Sequence, residues 1–171
     1  MDITAQKIKG AYLITPEKKI DERGYFARIW CRETFSLLGL NAHVEQCSIS
    51  QNKQAGTLRG MHYQAAPYAE CKLVSCPRGR IYDVMLDMRE NSPTYGHWQA
   101  FDLNAEKAQL LYIPEGVAHG FQTLVDDTVV LYQISTQFHP DYCRRVKYDN
   151  PLYGIQWPLP VTHISAQDSA A

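Results

Sequence analysis

The fold is decided by the stretch Arg80-Ile81-Tyr82-Asp83-Val84-Met85-Leu86-Asp87-Met88, whose residues alternate with a period of two. One face carries Tyr82, Val84, Leu86 and Met88, and the other carries Ile81, Asp83, Met85 and Asp87. Successive side chains of a β-strand point to opposite faces of its sheet. The stretch therefore predicts a strand with one core face and one mixed face.

The same period recurs on both sides of this strand. Val44 to Ser50 and Thr128 to Ser135 are further predicted strands, and turn signals such as Pro77-Arg78-Gly79 separate such segments at short intervals. Predicted helices are few: one runs from Arg32 to Leu38, stopped by Gly39, and a single turn follows Asn104. Many short strands at regular spacing predict an all-β antiparallel sandwich or small barrel, formed by residues 1–171 as one domain.

Composition limits the classes of partner. The 171 residues are 45% apolar and 20% charged, with a formal net charge of −1. A chain so close to neutrality has no global field that attracts nucleic acid or an acidic membrane. The sequence has no apolar run of membrane-spanning length, and its five cysteines form no C-x-x-C pair. We therefore expect a cytoplasmic protein with reduced thiols and with neither a nucleic-acid nor a membrane partner.

Two glycine-flanked runs carry candidate chemistry. Residues 56–64, Gly-Thr-Leu-Arg-Gly-Met-His-Tyr-Gln, contain Arg59 and His62, and residues 113–121 contain His119. Histidine exchanges a proton near neutral pH, and arginine presents a fork of donors suited to phosphate. In a regular strand Arg59 and His62 would point to opposite faces, so a shared site requires a bulge, which Gly60 permits.

Polar residues on the predicted strands leave two interpretations open. Gln46, Ser48, Asp83 and His62 either line an internal cavity or face solvent on the outside of a sheet. Periodicity alone does not distinguish these arrangements.

A set of ordered motifs extends over nearly the full length of the chain. They comprise residues 21–26 (Asp-Glu-Arg-Gly-Tyr-Phe), 58–64 (Leu-Arg-Gly-Met-His-Tyr-Gln), 72–74 (Lys-Leu-Val), 92–96 (Ser-Pro-Thr-Tyr-Gly), 118–121 (Ala-His-Gly-Phe) and 165–168 (Ser-Ala-Gln-Asp). With these motifs the chain resembles the nucleotide-sugar epimerases typified by dTDP-4-dehydrorhamnose 3,5-epimerase. The resemblance implies a cupin-like jelly roll (a double-stranded β-helix) with a few short helices. It also implies a homodimer in which N-terminal residues complete the neighbour's active site.

The resemblance further implies roles for individual residues. In the catalytic set His62 is the base, Asp168 its carboxylate partner, Tyr132 the acid on the opposite face and Lys72 the cation near the ketone oxygen. Substrate-binding positions are Arg59, His119, Phe26 and Gln46, with Arg23 supplied by the neighbouring subunit. Metal-binding cupins commonly place two histidines and a glutamate close together, whereas residues 58–64 hold one histidine. We therefore expect neither a metal nor another cofactor.

Three positions depart from the family pattern at its nucleotide end. Arg28 stands where many members have glutamate, Ser48 where many have asparagine, and Phe138 where a stacking tyrosine is common. Thymine N3 is a donor and suits a carboxylate, whereas cytosine N3 and O2 are acceptors and suit an arginine. The nucleobase therefore stays open, with cytosine an alternative to thymine.

The function that these residues imply is inversion of C3, C5 or both in a nucleotide diphosphate-linked 4-keto-6-deoxyhexose, in deoxysugar biosynthesis. A 3,4-ketoisomerase is the nearest alternative. A catalytically dead sugar-nucleotide binding module would have lost the base or the acid, and both His62 and Tyr132 are present. A metal-dependent cupin oxygenase is the remaining alternative.

Overall fold

The computed structural model describes residues 1–170, which form short strands and two short α-helices. The strands are β1 (Asp2–Ala5), β2 (Tyr12–Thr15), β3 (Lys18–Asp21), β4 (Gly24–Ala27), β5 (Gln46–Asn52), β6 (Leu58–Gln64), β7 (Lys72–Arg78), β8 (Arg80–Asp87), β9 (Trp98–Asn104), β10 (Leu110–Ile113), β11 (Val117–Thr123), β12 (Thr128–Ile134) and β13 (Cys143–Arg145). The helices are α1 (Arg32–Leu37) and α2 (Ala166–Ser169), and a 3-10 turn spans Pro140–Tyr142. No helix among these residues is both long enough and apolar enough to cross a membrane.

Two antiparallel sheets make up the body of the molecule. The six-stranded sheet has the order β1-β2-β10-β7-β12-β5, and the five-stranded sheet has the order β13-β6-β11-β8-β9. Strands β3 and β4 form a separate hairpin. The predicted all-β architecture with few short helices is confirmed. The domain prediction extended to residue 171, which lies outside the described residues.

The predicted segments match these elements closely. Strands β8, β5 and β12 coincide with the predicted ones to within one or two residues, and α1 ends one residue before the predicted Leu38. The turn after Asn104 is present, and the Asn104 side chain accepts a hydrogen bond from the Lys107 backbone N–H at 2.9 Å. These agreements follow from local signals, namely period-two alternation and a capping residue.

Both faces of β8 are buried. The predicted core face carries the fully buried Val84 and Leu86, and the C-terminal segment covers it with the side chains of Val146, Tyr153, Ile155 and Trp157. On the mixed face Ile81 and Met85 are equally buried, and they pack in the core between the two sheets. Periodicity within β8 could not show which face lies between the sheets, because the segment that covers the apolar face comes from distant, aperiodic sequence.

Asp87, the last residue of β8, organises the corner between β8 and β9, which spans residues 88–97. Its fully buried carboxylate accepts hydrogen bonds from Arg89 Nε at 2.8 Å, Ser92 Oγ at 2.6 Å and Thr94 Oγ1 at 2.7 Å. Burial alone raises the pKa of Asp87, but these hydrogen bonds outweigh burial, and the pKa lies below its usual value. The corner therefore depends on an ionised Asp87.

Replacing Asp87 by asparagine is expected to lower the free energy of unfolding by about 2–4 kcal/mol, because Arg89 then loses its buried anion. Since the folded state depresses this pKa, the contribution of Asp87 is present above about pH 4 and is lost as the pH falls further. Urea unfolding at pH 7 and at low pH tests both statements. Asp102→Asn, which removes a surface ion pair with Arg80, is the control and should cost less than about 1 kcal/mol. Equal losses in the two variants at pH 7 would contradict the assignment.

Candidate active site

A cavity of about 700 Å³ opens between the two sheets. The six-stranded sheet lines it from β5, β7 and β12, and the five-stranded sheet lines it from β6, β11 and β13. The C-terminal segment closes one side with His163, Ile164, Ser165, Gln167 and Asp168. Of the two open interpretations of the polar strand residues, the internal lining is correct for Gln46, Ser48 and His62.

A bulge in β6 brings Arg59 and His62 into the same cavity. Opposite them, His119 of β11 pairs with His62 while Phe121 pairs with Arg59, so β6 contains one extra residue. Gly60 has φ +123°, and a side chain there would clash with the Gly120 Cα of the neighbouring strand. The bulge predicted at Gly60 is confirmed, and it requires glycine both for its dihedral angle and for the close approach of β11.

His62 and Asp168 form a hydrogen-bonded dyad on the cavity wall. His62 Nε2 lies 2.6 Å from Asp168 Oδ1, and Asp168 Oδ2 accepts from the Gly60 N–H at 3.3 Å. Ser165 caps α2 by accepting from the Asp168 N–H at 3.1 Å, which fixes the orientation of this turn. With Nε2–H donated to the carboxylate, the other ring nitrogen of His62 keeps its lone pair.

The surroundings of His62 favour its neutral form. Burial lowers the pKa of His62, and the charges of Lys72 and Arg145 lower it further. The hydrogen bond and the charge of Asp168 raise it, but the balance lies below the ordinary value. An imidazole that stays neutral at physiological pH can accept a proton from a carbon acid.

Lys72 lies beside the dyad in a fixed position. Its Nζ donates to the His62 backbone carbonyl at 3.0 Å and lies 3.0 Å from Glu70 Oε1. Both side chains are largely buried. This contact fixes the Lys72 amino group at the cavity wall next to His62.

Tyr132 faces the dyad from the other sheet. It lies on β12 of the six-stranded sheet, whereas His62 lies on β6 of the five-stranded sheet. Burial and the charge of Asp83 raise the pKa of the Tyr132 hydroxyl, and Arg59 opposes the shift only partly. Tyr132 therefore stays protonated across the neutral range and can act as a proton donor.

A second histidine–carboxylate pair supports the wall near Tyr132. His119 Nε2 lies 2.9 Å from Asp83 Oδ2, and both residues are buried. The His119 ring meets the Tyr132 ring edge-on at a centroid separation of 6.0 Å. Asp83 therefore lies behind His119 as its partner. Asp83 Oδ1 has no hydrogen-bond partner within the described part of the chain.

The predicted substrate-binding residues on β5 and β6 occupy the cavity mouth. Arg59 is exposed, and its Nε donates to Asn52 Oδ1 at 2.8 Å. Gln46 Oε1 accepts from the Phe138 N–H at 3.0 Å, and Phe138 itself is largely exposed. Ser48 lines the same mouth. An arginine, an amide and an aromatic ring at one opening suit a ligand with an anionic and a planar part.

Comparison with known proteins gives the family. The model of the family described as dTDP-4-dehydrorhamnose 3,5-epimerase matches residues 5–171. The chain belongs to this family. It is an isomerase, an epimerase of nucleotide-linked 4-keto-6-deoxyhexoses at C3, C5 or both in deoxysugar biosynthesis. The predictions of family, enzyme class and cupin-like fold are thereby confirmed.

Individual relatives of the epimerase agree in sequence and in structure. The dTDP-4-dehydrorhamnose 3,5-epimerase of Sinorhizobium fredii is 40% identical over 159 residues, which covers 92% of this chain and 82% of the relative. The Bacillus anthracis enzyme, solved with TDP and PPi bound, is 33% identical with a TM-score of 0.95, covering 98% of this chain and 96% of that one. The Legionella pneumophila enzyme, in complex with dTDP-4-keto-L-rhamnose, is 35% identical with a TM-score of 0.93, covering 99% and 90%.

Three predicted site residues of the epimerase lie outside the cavity formed by its own chain. Arg23, Phe26 and Arg28 belong to the segment that contains the β3–β4 hairpin and do not line the cavity. Phe26 and Arg28 border a separate depression of about 310 Å³, and Phe26 is 69% exposed. The remaining predicted site residues all line the cavity: His62, Lys72, Tyr132, Asp168, Gln46, Ser48, Arg59, His119 and Phe138.

Sequence reasoning missed several residues that shape the epimerase site. Glu70 is the partner of Lys72, Asn52 orients Arg59, and Arg145 lies 3.6 Å from Asp168. Glu70 lies two residues before Lys72, so in an extended segment both side chains lie on the same face. This spacing could have indicated the ion pair. Asn52 and Arg145 gave none, because their side chains contact residues of other elements, Asn52 of β5 with Arg59 of β6 and Arg145 of β13 with Asp168 of α2.

Proposed function

We propose that the cavity binds a dTDP-linked 4-keto-6-deoxyhexose and inverts it by removing and returning protons next to the ketone. The observation that carries this proposal is that His62 of the five-stranded sheet, paired with Asp168 of α2, shares the cavity with Tyr132 of the six-stranded sheet. A sugar ring between the two sheets presents one face to a base and the opposite face to an acid. Inversion requires this arrangement, because a proton returned by the base itself restores the starting configuration.

In the proposed mechanism His62 removes the proton, and Asp168 holds the imidazole and stabilises the cation that forms. Lys72 lies near the developing enolate oxygen, where a preorganised donor contributes about 2.7–4 kcal/mol. Tyr132 then delivers a proton from the opposite side. The ketone of the substrate makes the adjacent C–H acidic, so the proposed steps use no cofactor.

The nucleotide lies at the cavity mouth in this proposal. Arg59 and His119 contact the diphosphate and the sugar, while Gln46, Ser48 and Phe138 contact the nucleoside. Binding energy from this handle orients the reacting carbons. The bound TDP and dTDP-sugar of the Bacillus and Legionella relatives support thymidine as the nucleoside.

The β3–β4 hairpin completes a neighbour's site in the proposed homodimer. Its exposed apolar residues include Ile20, which is 77% exposed, together with Tyr25 and Phe26. Large exposed apolar side chains on one hairpin are typical of an interaction surface. Arg23, Phe26 and Arg28 would then reach the partner's cavity mouth. Arg28 does not line the cavity of its own chain. Its contact with a nucleobase, on which the cytosine alternative rests, therefore depends on this dimer.

The test compares dTDP- and CDP-linked 4-keto-6-deoxyglucose in D2O by proton NMR. We expect the dTDP sugar to acquire deuterium at C3 and C5 and to change configuration. By calorimetry, dTDP should bind roughly 10²-fold more tightly than CDP, which corresponds to the free energy of one or two hydrogen bonds to the nucleobase. The control is Arg32→Glu, a surface change outside the cavity, which should leave this ratio unchanged. Faster turnover of the CDP sugar would refute the thymidine assignment. Movement of the carbonyl to C3 would instead identify a ketoisomerase.

A further inference from the structure

Arg145 joins the edge of the five-stranded sheet to the C-terminal turn that carries Asp168. In the β13–β6 ladder Arg145 is the register partner of His62. Its Nε lies 3.6 Å from Asp168 Oδ1, and its Nη2 donates to Gln167 Oε1 at 3.0 Å. One side chain therefore contacts two consecutive residues of α2 while its backbone pairs with the strand of the base.

The preceding residue gives a direct comparison. Arg144 is exposed, does not line the cavity, and donates to the backbone carbonyls of Asp141 and Cys143 at 2.9 and 3.2 Å. Adjacent strand residues point to opposite faces. Arg144 and Arg145 thus carry the same charge one residue apart, with only Arg145 directed at the dyad.

The turn that bears Asp168 has little stability of its own. Helix α2 spans only Ala166–Ser169, and helices of this length do not form without outside contacts. The anchors on Asp168 and its neighbour from the sheet are the Gly60 N–H, His62 and Arg145. We propose that Arg145 is a positioning residue, which holds the Asp168 carboxylate and its turn against His62. This inference deepens the proposed epimerase function and rests on it.

The charge of Arg145 gives the proposal a measurable signature. Charged and titratable groups line the cavity around His62 from each neighbouring element: Asp168 from α2, Lys72 from β7 with Glu70 beside it, Arg145 and Cys143 from β13, Arg59 and Tyr63 from β6, His119 from β11, Tyr132 from β12, and His163 from the C-terminal segment. Among the cations, Lys72 and Arg145 lower the pKa of His62. The hydrogen bond and the charge of Asp168 raise it, and both contributions are larger than that of Arg145. A positioning role therefore predicts that removing the guanidinium displaces the carboxylate, lowers the pKa of His62 and moves the acidic limb of the rate profile to lower pH. Loss of the Arg145 charge with Asp168 still in place would move the limb to higher pH.

The experiment uses Arg145→Gln, Arg145→Lys and, as the matched control, Arg144→Gln in the full chain. The readouts are kcat and KM against pH with the dTDP-linked 4-keto sugar, dTDP affinity by calorimetry, and the His62 pKa by NMR without substrate. For Arg145→Gln we expect kcat to fall roughly ten- to hundredfold, the cost of a misplaced catalytic group, and the acidic limb to move to lower pH. The affinity for dTDP should stay within about twofold of wild type, well inside the tenfold that 1.4 kcal/mol represents.

Arg145→Lys should keep the acidic limb closer to its wild-type position because its ammonium can still pair with Asp168, and Arg144→Gln should match the wild-type protein in every readout. A rise in KM and in the dTDP dissociation constant with an unshifted profile would overturn the proposal and make Arg145 a phosphate contact. An unchanged kcat, or a His62 pKa that is unchanged or higher in Arg145→Gln, would also overturn it. If the wild-type protein does not turn over the sugar, the proposed function fails, but the NMR titration of His62 still tests the contact.

Discussion

Replacing His62 by asparagine is expected to slow deuterium incorporation at C3 and C5 by about 10²–10⁴-fold, the contribution of a positioned general base. Asparagine has no group that takes a proton near neutral pH. Its amide can still donate to Asp168, whose carboxylate otherwise keeps the Gly60 N–H and Arg145 as neighbours. The fold and the binding of dTDP should therefore survive the change.

Proton NMR in D2O and calorimetric titration with dTDP measure these two effects separately. His43→Asn is the control, because His43 is a surface residue bonded to Glu45 and lies outside the cavity. This variant should exchange at the wild-type rate. Wild-type exchange in His62→Asn would remove His62 from the mechanism.

Replacing Tyr132 by phenylalanine is expected to separate exchange from inversion. His62 and Lys72 remain able to form the enolate, but the hydroxyl on the opposite sheet is gone. The base then returns a proton to the face from which it came. Formation of the epimer should fall by about 10²-fold or more, the contribution of a general acid, while deuterium still enters the recovered substrate.

The measurement follows deuterium in substrate and product over time by NMR. Tyr12→Phe provides the control, since Tyr12 lies on β2 and packs on the outer face of the six-stranded sheet, away from the cavity. Its product should form at the wild-type rate. Full epimerisation by Tyr132→Phe would mean that water or another side chain supplies the second proton.

Local signals predicted the parts of this molecule that depend on neighbours in sequence. Gly60 between Arg59 and His62 indicated a bulge, because a regular strand cannot direct both side chains to one face. The bulge is present and brings both into the cavity. Asn104 likewise indicated a capped turn, which the structure contains.

Contacts between distant segments were beyond such signals. The cover over the outer face of β8 comes from Val146 and Ile155, whose spacing carries no strand or helix period. Asp83 was considered as part of a cavity lining, but it lies fully buried behind His119. Period-two alternation gives the side of a strand on which a residue lies but not its depth below the surface.

The positions of Arg23, Phe26 and Arg28 show a further limit. The resemblance assigned all three to the substrate site, yet the cavity of a single chain does not include them. Arg23 instead pairs with Asp21 of its own hairpin at 2.6 Å. The proposed role of all three residues in a neighbouring site must therefore be tested on the assembled protein.

The proposed base and acid belong to different sheets, and this has a consequence for how the enzyme can change. The two sheets that carry His62 and Tyr132 are separated by a packed layer of core side chains, which includes Val74, Met85, Phe121 and Val130. Adding or removing one methylene in this layer would therefore change the distance between His62 and Tyr132 as well as the stability of the fold. In this fold, the accuracy with which the substrate is inverted therefore depends on how the core between the sheets is packed.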